Sequence, residues 1–310
     1  MTAMTAAIEV RDLRKVYGER AVVDGVSLRI DPGEVYALLG HNGAGKSTTV
    51  EILEGYRPRT AGMVSVLGVD PAAGGSAWRD RLGIVLQTSG IEPALSVREA
   101  IEIYGSAYQR RRSLDVVAEL TGLTDQLDQR IGTLSGGQRR RIDLALGIVG
   151  TPDVLFLDEP TTGFDPAARR SAWEVVRQLG AGGTTVLLTT HYLDEAEHLA
   201  DRVGVIANGR MIAEGTPGEL IGANTATIVR CVVPLGTERR ELDGVVPGEA
   251  VLAGDRVEFA TATPTLDVHR LCAWALGRGI ELGELTVTRP SLEDAFLALT
   301  ADAAQDGSEP

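Results

Sequence analysis

Three short stretches of this 310-residue chain have residue types and spacings suited to phosphate chemistry. Gly40-His41-Asn42-Gly43-Ala44-Gly45-Lys46-Ser47, with Thr48 next, has the form GxxxxGK[ST]. Glycines let backbone N–H groups curl around phosphate oxygens, a lysine at this spacing reaches the outer phosphates, and the following hydroxyl can ligate Mg²⁺. Val154 to Leu157 is an apolar run that ends in two acids, Asp158 and Glu159. A carboxylate at such a strand end suits the shell of a bound Mg²⁺, and its neighbour can orient or deprotonate an attacking water. Leu134-Ser135-Gly136-Gly137-Gln138 precedes a helical pattern. Read blandly it is an N-cap; read sharply, Ser135 to Gln138 is a second nest of backbone donors for phosphate.

These stretches need elements that hold them. Ile8–Tyr17 and Val22–Ile30 alternate apolar and polar residues as half-buried strands do, and Val35–Leu39 reads as a strand buried on both faces. A helix over Lys46–Glu54 follows the glycine loop. Residues 92–150 are mainly helical by periodicity, with a capping-box pattern at Ser96 and Glu99. Asp165-Pro166 opens a helix over 166–179, followed by a strand at Thr184–Thr190 and a helix near 193–200. Val203–Ala207 and Arg210–Ala213 flank Asn208-Gly209, a hairpin signal. Strands alternating with helices imply an α/β fold with a mainly parallel sheet, an antiparallel N-terminal β part and a helical subdomain over about 92–150. The first domain spans residues 8–218. A small α+β unit spans 223–302, with strands at Thr225–Val233, Arg256–Ala260 and Glu281–Thr288 and helices at Leu266–Leu276 and Ser291–Leu299. Residues 303–310 read as a flexible tail.

Composition narrows the function. The formal net charge is −13, which disfavours nucleic-acid partners. The basic clusters Arg110–Arg112 and Arg139–Arg141 are short and read as solvated helix faces. Cys231 and Cys272 match no zinc spacing and no disulfide framework, which fits a reducing cytosol. Residues 1–10 do not read as a secretory signal, and no apolar run approaches the ~18–20 residues of a membrane span. A membrane path, if used, must come from another polypeptide.

LSGGQ, placed after a P-loop and before an LDEP strand, resembles the ATP-binding cassette (ABC) ATPase family over residues 8–218. The resemblance implies ATP and Mg²⁺ as ligands and ATP hydrolysis as the activity. It gives Tyr17 the place of an aromatic against adenine. It makes Gln87 the glutamine that touches Mg²⁺ and relays to a membrane subunit, and Glu159 the group acting on the attacking water. His191 becomes the histidine at the γ-phosphate, and Ser47, Gln87 and Asp158 the Mg²⁺ shell. Thr162-Gly163-Phe164-Asp165 resembles the loop that crosses the dimer interface, with Phe164 where Leu is more usual. The family pairs two cassettes head to tail, so that the LSGGQ of one closes over ATP on the P-loop of the other. Arg289-Pro290-Ser291-Leu292-Glu293-Asp294-Ala295-Phe296 and Arg139 to Leu146 resemble the ABC-2-type exporter ATPases, including the daunorubicin-resistance type.

The expectation is therefore the ATPase subunit of an exporter. It would work with a separate polytopic ABC-2-type permease on the cytoplasmic face of the membrane and drive efflux of a drug, secondary metabolite or other hydrophobic substrate. Three alternatives stand beside it: an importer ATPase, a soluble ABC ATPase acting on ribosomes or DNA, and an inactive binding module. One cassette without sustained heptads argues against the ribosome and DNA readings. The presence of Glu159 and His191 argues against inactivity.

Overall fold

A computed structural model describes residues 5–86, 90–222, 226–288 and 291–306. Two compact units divide at Pro217/Gly218, the second running to Asp302.

In the first unit, β1 (Ile8–Tyr17), β2 (Arg20–Ile30) and β4 (Ala61–Val66) form an antiparallel sheet in the order β2-β1-β4. A second sheet contains β3 (Val35–Leu39), β5 (Leu82–Val85), β6 (Val154–Asp158), β7 (Thr185–Thr190), β8 (Arg202–Ala207) and β9 (Arg210–Gly215). Its order is β5-β6-β7-β3-β8-β9, parallel except for β9. Strands β3 and β7 are buried along their whole length, and neither alternates: β3 reads as an apolar run, and β7 carries Val186–Leu188 between buried threonines. One core joins the two sheets to α1 (Lys46–Leu53), drawing on Leu13, Ile30, Tyr36, Leu53 and Phe156. Each such side chain contributes about 1.5–3 kcal/mol by leaving water.

The helical part holds α3 (Val97–Gly105), α4 (Leu114–Thr121) and α5 (Gly136–Ile148), preceded by the short α2 (Ser76–Arg79). Val97, Ile101, Val117, Leu123, Ile142 and Val149 form its own core. The capping box at Ser96 and Glu99 is present. Asp165 caps α6 (Pro166–Ala181), its carboxylate accepting from Ala167 N at 2.8 Å and Ala168 N at 2.9 Å. Then come α7 (Leu193–Leu199) and α8 (Pro217–Gly222). Asn208 (φ 50°) and Gly209 (φ 78°) both lie in the left-handed region between β8 and β9. A two-residue turn matched to strand twist needs that conformation, and Asn-Gly supplies it.

The second unit is a four-stranded antiparallel sheet of order β11-β12-β10-β13, formed by β10 (Thr227–Val232), β11 (Val251–Ala253), β12 (Arg256–Thr261) and β13 (Gly283–Thr288). On β12 the buried residues Val257, Phe259 and Thr261 alternate with exposed ones. They face a core with Leu271 and Trp274 of α9 (Pro264–Gly277).

Several expectations need correction. The last helix, α10 (Leu292–Asp306), passes residue 302, where the flexible tail was expected to begin. Residues 307–310 and Thr225 lie outside the described residues. Strand β11 was missed because three residues carry too little pattern. Arg110–Arg112 is not a helix face: it precedes α4, and the Arg112 guanidinium donates to Ile148 O. Nor is Arg139–Arg141 uniformly solvated, since Arg140 is only 7% exposed.

Candidate active site

The parallel register brings four strand ends to one edge. Leu39 of β3 pairs with Thr190 of β7, Asp158 of β6 with Thr189 of β7, and Val85 of β5 with Leu157 of β6. The glycine loop therefore leaves β3 beside the acids that end β6 and the histidine that follows β7. Open α/β sheets hold ligands outside this carboxyl edge.

The loop geometry follows from its glycines. Gly43 (φ 82°) and Gly45 (φ 107°) are left-handed, and Gly45 is the N-cap of α1. A Cβ on Gly45 would stand 2.7 Å from Val22 O. The β8–β9 turn supports the loop from behind: Gly209 N donates to Ala44 O at 3.0 Å. Gly40 and Ala44 are buried in the base of the loop. Asn42, Gly43 and Gly45 to Thr48 line a cleft of about 370 Å³ together with Val22, Glu159 and His191. The N-terminus of α1 opens into this cleft, with its dipole and donors suited to an anion.

Lys46 is 6% exposed, and its ammonium donates to Gly40 O at 2.5 Å and His41 O at 3.2 Å. Burial pushes its pKa below the usual lysine value, while the Glu159 and Asp158 carboxylates pull it back up. Both acids therefore act electrostatically on the same ammonium. A desolvated cation held only by carbonyls gains strongly from a phosphate.

The acid pair is held from β7. The Thr189 hydroxyl donates to Asp158 Oδ1. Glu159 N donates to Thr189 O at 3.0 Å and to Thr189 Oγ1 at 3.2 Å. Glu159 has φ 47°, a left-handed backbone that a non-glycine residue adopts at a cost of about 1–3 kcal/mol. Its Oε1 lies 3.1 Å from His191 Nδ1, and its Oε2 accepts from Thr162 Oγ1 at 3.3 Å. The His191 ring packs against Tyr192 with centroids 4.1 Å apart, and the Arg169 guanidinium stands 4.2 Å from the Tyr192 ring centre. This arrangement can place a carboxylate and an imidazole beside the end of a phosphate chain.

Other expected residues lie elsewhere. Ser135 to Gln138 do not line the cleft. They open α5, with Gln138 N donating to Ser135 Oγ at 3.2 Å and Ser135 N donating to Gln138 Oε1 at 2.9 Å. The bland N-cap reading thus holds as geometry. A Cβ on Gly136 or Gly137 would meet nothing within 4 Å, so this end of α5 stays open to a large anion. Tyr17 ends β1 at 42% exposure, accepts from the Arg57 guanidinium at its hydroxyl, and has the Lys15 ammonium 4.9 Å from its ring centre. Gln87 lies outside the described residues. Phe164 packs against Ala168 and Ala172. The sequence reading missed Thr189, Tyr192, Arg169 and the role of Arg140, and it gave Thr162 only as part of the loop expected at the dimer interface. Thr189 and Tyr192 carried no signal beyond adjacency to a motif, Arg169 carried none, and Arg140 read as part of a solvated helix face.

A glycine loop with its lysine, a carboxylate and an imidazole share one cleft at the edge of a parallel sheet, the arrangement of a P-loop ATPase. Residues 23–162 match the family model described as ABC transporter, and residues 227–291 match the ABC transporter domain-containing protein-like C-terminal domain. The chain is 40% identical to the daunorubicin/doxorubicin resistance ATP-binding protein DrrA of Streptomyces peucetius, over 99% of this chain and 96% of that protein. It is 39% identical to the Nod factor export ATP-binding protein I of Burkholderia orbicola, over 97% of this chain and 99% of that protein. A solved ATP-binding subunit of an ABC transporter superposes with TM-score 0.64 at 28% identity, covering 71% of this chain and 93% of that one. A nucleotide-free ATP-binding cassette gives TM-score 0.61 at 25% identity, covering 68% and 92%. The chain belongs to the ABC transporter family of ATPases, with drug-resistance and Nod-factor export ATP-binding proteins among its relatives. Among the described residues, no helix is long and apolar enough to cross a membrane.

Proposed function

We propose that the chain binds and hydrolyses ATP to drive export of a drug, secondary metabolite or other hydrophobic substrate through a separate ABC-2-type permease, at the inner face of the membrane. The observation that carries the chemistry is the single cleft joining Lys46, Ser47, Glu159 and His191. Lys46 and the α1 N-terminus bind the phosphates. Glu159 orients and takes a proton from the attacking water, and His191, 3.1 Å from it, holds it toward the outer phosphate. Ser47 and Asp158 offer a hydroxyl and a carboxylate, the hard oxygen donors that suit Mg²⁺, and Gln87 is proposed to join them. That ion supplies neutralisation of phosphate charge when bound. Tyr17 is proposed to meet the adenine. Ser135 to Gln138, outside this cleft but open, are proposed to bind the ATP of a second copy in a head-to-tail dimer.

A groove of about 240 Å³ between the end of β5 and α3 supports the permease partner, with the half-exposed Leu86 and Tyr104 on its wall beside Ile91 and Leu146. The extent of similarity to DrrA, which includes the second unit, supports the exporter reading. The test is to recover tagged Glu159→Gln chain from membranes with ATP and Mg²⁺. A co-purifying polytopic protein is expected. Recovery of ribosomes, DNA or nothing would refute the transport reading and leave the ATPase intact.

A further inference from the structure

Arg140 is a buried cation that phosphate binding does not use. It is 7% exposed and sits on the second turn of α5, whose first turn carries Ser135 to Gln138. Its guanidinium reaches out of the helical part to the strand ends. Nη2 donates to Asp158 O and to Glu159 O, both at 2.9 Å, and Nε donates to Pro160 O at 3.1 Å. Nη1 donates to Leu86 O, where β5 leads toward Gln87, and lies 3.4 Å from Asp143 Oδ2 on the next turn of α5. Asp143 is itself 9% exposed, so the charge is compensated inside the protein.

The geometry has a specific consequence. In extended backbone, consecutive carbonyls point to opposite sides. Three in a row can meet one guanidinium only where the chain curls, and the curl lies at Glu159, whose φ is 47°. Strained conformations of this kind persist when the surroundings over-determine them. Thr189 fixes the N–H side of the turn, and Arg140 fixes the carbonyl side.

We propose that Arg140 is a positioning residue. It holds the Asp158–Pro160 turn so that the Glu159 carboxylate faces the cleft, and it ties that turn to the helix that presents Ser135 to Gln138. The proposal rests on the reading of Glu159 as the group acting on water. It requires the planar fork of arginine, because the three donors of a lysine ammonium are too few for the carbonyls of Leu86, Asp158, Glu159 and Pro160 together.

The test uses the purified full chain with Arg140→Lys, which keeps the charge beside Asp143, and Arg140→Met/Asp143→Leu, which removes both charges together so that neither is left buried alone. Each is made in the native background and in Glu159→Gln, with folding checked by thermal melt and with MgATP KM and kcat measured. Expected is a fall in kcat of ~10-fold or more with KM within about threefold, and a change of less than about twofold in the residual rate of the Glu159→Gln background. If Arg140→Lys does not fold, the apolar pair carries the comparison. A kcat within about twofold of native would overturn the proposal, as would a rise in KM alone or an equal loss in both backgrounds. Failure of the underlying reading is separately visible, since Glu159→Gln by itself would then keep near-native turnover.

Discussion

Glu54, at the C-terminal end of α1, should make the stability of the first unit depend on pH in a direction opposite to most carboxylates. Burial first, then the charges of Asp158 and Glu51, raise its pKa from 4.5 to about 8. Between those values the folded chain keeps a proton that the unfolded chain has released. The stability contribution is therefore complete below about pH 4.5 and is lost as pH rises through about 8. At about 1.36 kcal/mol per pH unit across that span, the loss reaches about 5 kcal/mol. With roughly 2–4 °C per kcal/mol for a domain of this size, that is on the order of 10–20 °C in Tm. Glu54→Gln keeps the shape and the neutral form, so it should lie close to the native chain near pH 5, exceed it progressively up to about pH 8 and level off above that. Thermal melts of both chains from pH 5 to 9 measure the difference directly and cancel every other titrating group. Parallel Tm curves for the two would refute the reasoning, because the half-buried carboxyl would then not be holding its proton. The effect bears on the site, since a proton on Glu54 keeps an extra negative charge away from Asp158.

Lys46→Ala should abolish tight MgATP binding, measured by calorimetry, because the phosphates lose their buried cation; unchanged affinity would count against the loop as the phosphate site. Gly45→Ala should do comparable damage without touching any charge, since its Cβ would lie 2.7 Å from Val22 O on a left-handed backbone; nucleotide affinity near the native value would mean that the loop can relax. Trp173→Phe removes the indole donor to Glu195 Oε1 at 3.0 Å, a carboxylate fully buried and also held by Thr161 Oγ1 at 2.9 Å. The carboxyl keeps the Thr161 donor and loses one hydrogen bond, a cost of about 0.5–1.5 kcal/mol, so Tm should fall by a few degrees while MgATP affinity is kept.

Much of the fold was legible because the parallel sheet writes itself as short apolar runs and the helices carry their caps. Asp165-Pro166, Ser96 with Glu99, and Asn208-Gly209 all appear with the geometry their residue types demand. The cleft residues were legible for a related reason: the P-loop, the acid pair and His191 each follow a strand, and the parallel register then aligns the strand ends. What the sequence did not disclose were groups whose role depends on a partner distant along the chain. Thr189 looks like any strand threonine until Asp158 lies beside it. Arg140 sits in a run of three arginines, and nothing in that run distinguishes the middle one from its half-exposed neighbours. The difference is rotational: the position that faces β5 and β6 on α5 happens to carry the charge.

The same rotational fact bears on how the site is assembled. The α5 helix offers two adjacent turns at its N-terminal end to two different tasks. Its first turn carries the glycines that stand open and away from the cleft of their own chain, and its second turn sends Arg140 to the backbone of Glu159. If the first turn binds the nucleotide of a second copy, displacement of that turn is transmitted through about one helical turn, roughly 5 Å, to the carbonyls behind the carboxylate proposed to act on water. Two hydrolytic centres in a head-to-tail pair would then be coupled through side chain to backbone contacts within each copy. No change would be required in the parallel sheet, whose central strands β3 and β7 are buried along their whole length.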